Sequence, residues 1–408
     1  MVVWATSWMA TRLRGARSNF MPTINPALTA IDAPPIMAAH AWARAYDGRH
    51  GSPIDLCQAV PGYAPHPGLL AQAAAVAADP AYAKYGPIAG DPALREAYAA
   101  TQPGVTPDQV AITAGCNQAM FTTLLAIAQP GDSVLLPTPW FWNHQQSCDL
   151  LGLHARPLPC RADHGFVPAI DDAARLIDAT TRAIVLISPN NPTGAVTPPE
   201  TIAAFAALCR VRDIWLILDE TYRDFLPATQ DIGHDLFRQP GWDSHVIGLY
   251  SFSKAFCVPG YRLGAITASA AMIGHVTTAL DSLHICPNRV AQAAITWAID
   301  ALPDWRAANR RLINDREAVM RTALETAPGW QIEASGAYFA YVRHPYPGVG
   351  SAMVAEHLAR DLGAVCLPGV AFGPGQDAYV RMAFANADTA ALQDLAGRLR
   401  LNAMAKAA

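Results

Sequence analysis

The chain has 408 residues, 52% of them hydrophobic and 15% charged, with a formal net charge of −4. That length exceeds what one simple core organises, so two domains are expected. The mild acidity excludes a nucleic-acid surface built on clustered positive charge, and no apolar run reaches transmembrane length. Eight cysteines are scattered with no Cys-x-x-Cys pair, and twelve histidines form no ligand spacing. This fits reduced thiols in a cytoplasmic protein and no metal site.

Residues 1–20 carry three arginines, and no acid precedes Asp32. They read as an extra arm, an upstream start or a transit peptide, and stand outside the fold argument. From about residue 85 the chain alternates. "DPALREAYAA" offers Asp91 as N-cap with Pro92 at the first helical position. "QVAIT" is strand-like, "NQAMFTTLLAIA" helical and "SVLLPT" strand-like again. "RAIVLIS" is an apolar strand that meets the turn "PNNPTG". Thr197 and Glu200 read as a capping box opening the helix "TPPETIAAFAALCR". "IWLILDE", "HVIGLYS" and "LGAITAS" follow. Apolar runs separated by helices predict βα units around a sheet buried on both faces, an α/β fold. After about residue 302 comes a long charged amphipathic helix, then "GAYFAYVRH" and "AYVRMAFA", the pattern of a smaller α+β unit. The boundaries expected are 21–55 for the N-terminal part of the small domain, 56–302 for the large domain and 303–408 for the C-terminal small domain.

Ligands of parallel α/β sheets bind beyond the carboxyl ends of the strands. Three runs end there in polar groups: Asn190, Asn191 and Gly194; Asp219, Glu220 and Tyr222; Ser251, Ser253 and Lys254. Lys254 is conspicuous because the chain has only three lysines, the others being Lys84 and Lys406. A sheltered lysine can act as a neutral amine towards a carbonyl. A buried carboxylate suits a pyridinium nitrogen, and hydroxyls, an arginine and a helix N-terminus suit a phosphate. Together these are the parts that seat pyridoxal phosphate (PLP).

"SFSKAFCVPGYRLG" resembles the S-x-S-K-x5-G-x-R-x-G segment of the class I/II aminotransferases. "NNPTG" is similar to that family's N-P-x-G turn and "DETY" to its D-E-x-Y segment, and the likeness runs from about Asp55 to Ala385. It implies PLP-dependent fold type I: a large domain with a mostly parallel sheet flanked by helices, plus a smaller α+β domain. It implies that Lys254 forms the Schiff base and moves the substrate Cα proton. Asp219 is implied to pair with the ring nitrogen, and Tyr222 and Asn191 to hold the phenolic oxygen. Ser251, Ser253 and Arg262 are implied at the phosphate, with Gly115, Cys116 and Asn117 contributing backbone amides. "PTPWFWNH" resembles the segment supplying the ring stacked on the cofactor, which places Phe141 there, with Trp140 and Trp142 beside it. "KYGPIAGDPALREA" resembles the segment whose tyrosine crosses a dimer interface, making Tyr85 that residue and a homodimer the unit. "AYVRMAFA" resembles the substrate-carboxylate segment, making Arg381 the clamp.

The segment "LCQAVPGY" departs from the family pattern, with Ala59 at a usual glycine and Gly62 at a usual aspartate. Ala59 is expected beside the substrate. His284, Cys286, Asn288 and Arg289 are candidate lining residues at the distal end of the pocket, although Arg289 is offset from the usual dicarboxylate-reading position. A neutral or apolar amino donor with a 2-oxo acid acceptor is the expected substrate pair. The expected activity is amino transfer from an L-amino acid to a 2-oxo acid by a ping-pong mechanism. The alternative is another PLP outcome: a β-lyase, a cyclopropane-forming synthase or an oxidase-like enzyme. A sensor-regulator is disfavoured, because the roughly 55 residues before the first motif show no helix-turn-helix pattern.

Overall fold

The computed structural model describes residues 22–401. Residues up to Asp32 form one unit and those from Ala33 onward a second. In the first, a single helical turn, Pro26–Thr29, is capped by the Asn25 side chain, which accepts a hydrogen bond from the Ala27 amide at 3.0 Å. The arm expected at 1–20 lies outside the described residues, as does Lys406.

The second unit opens with the helix Pro35–Ala43, followed by its first strand, β1 (Ile54–Asp55). Then β2 (Val110–Thr113), β3 (Ser133–Thr138), β4 (His154–Pro159), β5 (Thr181–Ile187), β6 (Trp215–Asp219), β7 (Val246–Ser251) and β8 (Gly264–Thr267) build a seven-stranded sheet. Its order is β2-β8-β7-β6-β5-β3-β4. Strand β8 runs antiparallel to both neighbours, and every other pairing is parallel. The sequence explains the burial: β7 is buried along its whole length, and of β6 only Trp215 is partly exposed. Helices cover both faces, which is why these strands are continuously apolar rather than alternating.

After the helix Pro303–Glu325 the chain adds β9 (Gln331–Gly336), β10 (Phe339–Arg343), β11 (Ala364–Val365), β12 (Leu367–Pro368) and β13 (Tyr379–Met382). Strands β12-β13-β10-β9 form an antiparallel sheet, and β11 pairs in parallel with β1. The long helix buries Ile313, Met320 and Leu324 in a cluster with Tyr338, Phe339, Leu392 and Leu395; of its charged residues Arg316 is also buried, donating to the Ala385 carbonyl. No helix among the described residues is long and apolar enough to cross a membrane.

Two local readings are corrected. Thr197 and Glu200 do not form a capping box: the helix runs Pro199–Arg212, with Pro198 at its cap position and no side-chain cap. The two prolines take the cap and first helical positions, and the buried Thr197 outside them gives its amide to Ser188 Oγ at 3.0 Å. Asp91 does precede the helix Pro92–Ala100, but its carboxylate pairs with Arg289 at 3.2 Å instead of capping.

The turn after β5 leaves no room for a side chain at Gly194. Its φ is +76°, and a Cβ there would stand 2.3 Å from the Gly336 amide nitrogen. Gly194→Ala is therefore expected to cost about 2–3 kcal/mol, combining left-handed strain with a backbone clash. Urea unfolding would measure it, and an unmoved midpoint would refute the tight approach.

Candidate active site

The strand ends of the main sheet and one strand of the smaller sheet meet at a cavity of about 250 Å³. Asn191 comes from the turn after β5, Asp219 from the end of β6 and Tyr222 three residues on. Ser251 ends β7, and the helical turn Phe252–Ala255 carries Ser253 and Lys254. Arg381 reaches in from β13, and Cys116 and Asn117 from the start of the helix Cys116–Ile127. All of these, together with Ala59, Phe141 and Arg262, line the cavity.

Lys254 donates its ammonium to the Ala59 carbonyl. Burial, reinforced by the nearby charges of Arg262 and Arg381, lowers its pKa to about 8. Asp219 experiences the opposite balance. Burial pushes its carboxyl up, but the hydrogen bond and charge of His144 and the bonds from Thr221 outweigh that and hold it below the ordinary value. His144 Nε2 lies 3.2 Å from Asp219 Oδ2, and the Thr221 amide donates to Oδ1 at 2.9 Å.

Arg381 is 1% exposed. Its Nη1 donates to Asn191 Oδ1 at 3.0 Å and its Nη2 to the Cys57 carbonyl, while Nε has no partner. The guanidinium faces the rings of Trp142, Phe339 and Phe372, and burial lowers its pKa to about 10. Tyr222 packs edge-on against Tyr338 and Phe339, and burial pushes its hydroxyl up.

The anion-facing end is built from backbone constraints. Arg262 is exposed and left-handed at φ 54°, donating to the carbonyls of Pro259 and Ala114. A Cβ on Gly115 would stand 2.3 Å from Arg262 Nη2, and one on Gly264 would stand 2.8 Å from the Cys116 amide nitrogen. Both glycines thus let the arginine, the strand and the helix start approach one another. Ser253 Oγ is buried without a partner, and Ser251 Oγ accepts from the Ser253 amide at 3.3 Å.

Other expected residues sit elsewhere. Tyr85 is 79% exposed and outside the cavity wall. Trp140 faces away, whereas Trp142 lines the cavity beside Phe141. Arg289 is occupied by Asp91 and the Ala81 carbonyl. His284 meets Gln118, Cys286 Sγ accepts from the Gly86 amide, and Asn288 caps the helix Arg289–Ala301. None of these four lines the cavity. Asn190 serves its own turn, accepting from Thr193. Glu220 points into a larger cavity of about 470 Å³, which contains none of the expected cofactor residues. Size and charge are therefore poor guides: the larger cavity has more charged side chains, but the residues expected at the cofactor collect in the smaller one.

Sequence reading missed His144 and Thr221, as well as Ile36, Gln58, Val60 and Asn143 in the wall. A signal for His144 existed, since it lies three residues beyond Phe141 at the start of the helix Trp142–Leu150, close to one face. Gly62 also gains a reason: a Cβ there would stand 2.8 Å from both the Ala385 carbonyl and Arg316 Nη1.

The pattern of the family "Aminotransferase class I and II" matches residues 52–399, and the chain belongs to that family. An arginine–pyruvate transaminase of Pseudomonas aeruginosa is 30% identical over 305 residues, covering 73% of this chain and 77% of the relative. An aspartate/prephenate aminotransferase of Thermus thermophilus is 30% identical over 323 residues, covering 75% and 80%. A solved aspartate aminotransferase from Thermus thermophilus, a single mutant, superposes with a TM-score of 0.85 at 25% identity, over 93% of this chain and all of that one. The fold is therefore fold type I, and the protein is a PLP-dependent aminotransferase acting on amino and 2-oxo acids. The residues fit the cofactor: a carboxylate held ionised for a protonated ring nitrogen, an unpartnered buried hydroxyl beside an arginine for a phosphate, and an amine with a lowered pKa.

The lowered pKa of Lys254 has a stability consequence. With the folded value near 8 and the ordinary value 10.5, the unfolded chain binds more protons between them. Stability from this group therefore rises with pH across that window, and below it the folded cofactor-free protein carries a buried charge. Lys254→Met should stabilise the cofactor-free protein at pH 7 by on the order of 2 kcal/mol, with the gain vanishing above about pH 10.5. Paired denaturant titrations at the two pH values check this. An equal gain at both would place the lysine in ordinary solvent.

Proposed function

We propose that this aminotransferase takes a neutral or apolar L-amino acid as donor, with Lys254 as the proton-moving base and Arg381 as the carboxylate clamp. One observation carries the specificity. Beyond Lys254, Asp219, Arg262 and Arg381 the wall is uncharged, with Ile36, Val60, Trp142, Gln58 and Asn143, and Arg289 is committed to Asp91. Within this chain no second cation among the described lining residues waits for a side-chain carboxylate.

When bound, the cofactor supplies an aldehyde that condenses with amines and a cationic ring that draws electrons from the carbon bearing the nitrogen. Lys254 is the residue proposed to carry it covalently. Its amine, with a pKa lowered to about 8, would take the Cα proton and deliver it to the cofactor carbon on the other side of the nitrogen. Asp219 stays ionised through His144 and Thr221, and so keeps the ring nitrogen protonated. Tyr222 and Asn191 orient the phenolic oxygen. Ser251, Ser253, Arg262 and the amides from Gly115 to Asn117 hold the phosphate dianion. Arg381 binds the α-carboxylate with a planar fork, its Nε still free to donate. Phe141 offers a ring face above the cavity floor.

Three further parts belong to the same reading. The two sheets, with the helix Pro303–Glu325 between them in sequence, support lobes dividing near residue 302. The exposed ring of Tyr85 supports a homodimer in which that residue serves the partner's site. Eight free thiols support a reducing, cytoplasmic setting.

Visible absorption of the holoenzyme, recorded after adding single amino acids without an acceptor, tests the activity. Neutral donors should bleach the yellow band stoichiometrically, and aspartate or glutamate should do so poorly. Pyruvate and ammonia released without bleaching would move the assignment to a lyase. Asp219→Ala should lower kcat by at least about a hundredfold and Lys254→Ala by more, in proteins that remain folded. Arg381→Leu should mainly raise KM for the donor, and a KM left unchanged would remove the clamp.

A further inference from the structure

A second set of reactive side chains lies just behind the segment that carries Ala59, and no step of amino transfer uses it. His40 comes from the helix Pro35–Ala43, Asp55 from β1 and Cys57 from the turn beyond it. One ligand-type atom of each lies within 4.8 Å of the others. His40 Nε2 stands 3.1 Å from Cys57 Sγ and 3.8 Å from Asp55 Oδ2. Donors around a tetrahedral zinc ion, bonded at about 2.0–2.3 Å, lie roughly 3.5 Å apart, so the side chains are already gathered at that spacing.

The two oxygens of Asp55 divide their work. Oδ1 accepts the Cys57 amide at 2.9 Å, which fixes the carboxylate and leaves Oδ2 towards the imidazole. The side chains of His40 and Asp55 are 43% and 40% exposed, while Cys57 is fully buried. The set is thus closed by protein on the sulfur side and open to solvent on the other, giving an entry path and room for water. Sulfur, imidazole and carboxylate together suit a borderline ion such as zinc or cobalt, and suit magnesium or calcium poorly.

We propose that His40, Asp55 and Cys57 form a binding site for a divalent transition-metal ion of the zinc class, with water as the fourth ligand. On binding, the Cys57 S–H proton leaves to solvent as the metal–sulfur bond forms. The spacing 40, 55, 57 matches no short ligand motif, because helix and strand must fold together to assemble it. The Cys57 carbonyl accepts from Arg381 Nη2, so an ion that shifts Cys57 also shifts an acceptor of the guanidinium. Metal binding should therefore raise KM for the amino donor more than it lowers kcat. This coupling, though not the site itself, rests on Arg381 as the carboxylate clamp.

The test uses the full-length holoenzyme, freed of metal by dialysis and titrated with cobalt(II), then with zinc. One equivalent of cobalt should bind with the visible bands of a tetrahedral centre and a sulfur-to-cobalt transition, and zinc should displace it. His40→Ala and Cys57→Ser should each weaken binding by at least about tenfold. His40→Ala should keep the parent activity in metal-free buffer and lose the zinc-induced rise in KM. Cobalt bound without the sulfur transition, an unchanged signature in His40→Ala, or no stoichiometric binding would overturn the site. The full cobalt signature with no change in KM would overturn the coupling alone.

Discussion

Keeping Asp219 ionised inside the protein is the constraint around which the site is arranged. A buried carboxylate without partners takes up a proton and would then be useless to a ring nitrogen that must stay charged. The chain meets the cost locally, with His144 on one oxygen and the Thr221 amide on the other. His144 thereby ties the helix Trp142–Leu150, which follows Phe141, to the end of β6. The next residue faces the same problem on the other side: Glu220 is held by His234 at 3.3 Å and by Arg223 at 3.8 Å. Two adjacent acids leaving a strand point to opposite sides, and each requires its own basic partner.

The positive groups are arranged by the complementary rule. Lys254, Arg262 and Arg381 surround a cavity whose wall contains one carboxylate, Asp219. Among themselves these cations repel, and that repulsion helps depress Lys254. The imbalance is relieved by anionic ligands, and a phosphate and an α-carboxylate are the two charges that a cofactor and an amino acid would bring. Specificity for anions and activation of the amine thus come from one charge distribution.

Much of this was legible in the sequence where chemistry coincides with a strand end. The runs "RAIVLIS", "IWLILDE" and "HVIGLYS" announce buried parallel strands, and Asn191 just beyond the first, Asp219 in the second and Ser251 in the third reach the cavity. The start of the helix Cys116–Ile127 was legible only through the family resemblance, and the reason for its glycine, the close approach of Arg262 to Gly115, appears only in the fold. Spacing places His144 near the face of Phe141, but its role was not legible, because that depends on Asp219, which lies far away in the chain and close in space. The polar tract from His284 to Arg289 misled in the opposite direction. Those side chains look available in sequence, but a helix cap, an ion pair and packing against Gly86 and Gln118 consume them. The supposed box at Thr197 failed because the helix starts one residue later than expected, with Pro198 at its cap position and Thr197 outside it.

The partners of Arg381 lie 190 and 324 positions earlier in the chain, at Asn191 and Cys57. Contacts this distant in sequence form only after the intervening segments have found their places. During synthesis the segments with Asn191 and Cys57 leave the ribosome long before the arginine that joins them, so neither can hold a carboxylate alone. A nascent or truncated chain could assemble much of the seven-stranded sheet and still be blind to amino acids. With Arg381 as the proposed clamp, recognition of the substrate is a late checkpoint of synthesis, passed only by a chain that has folded from both ends.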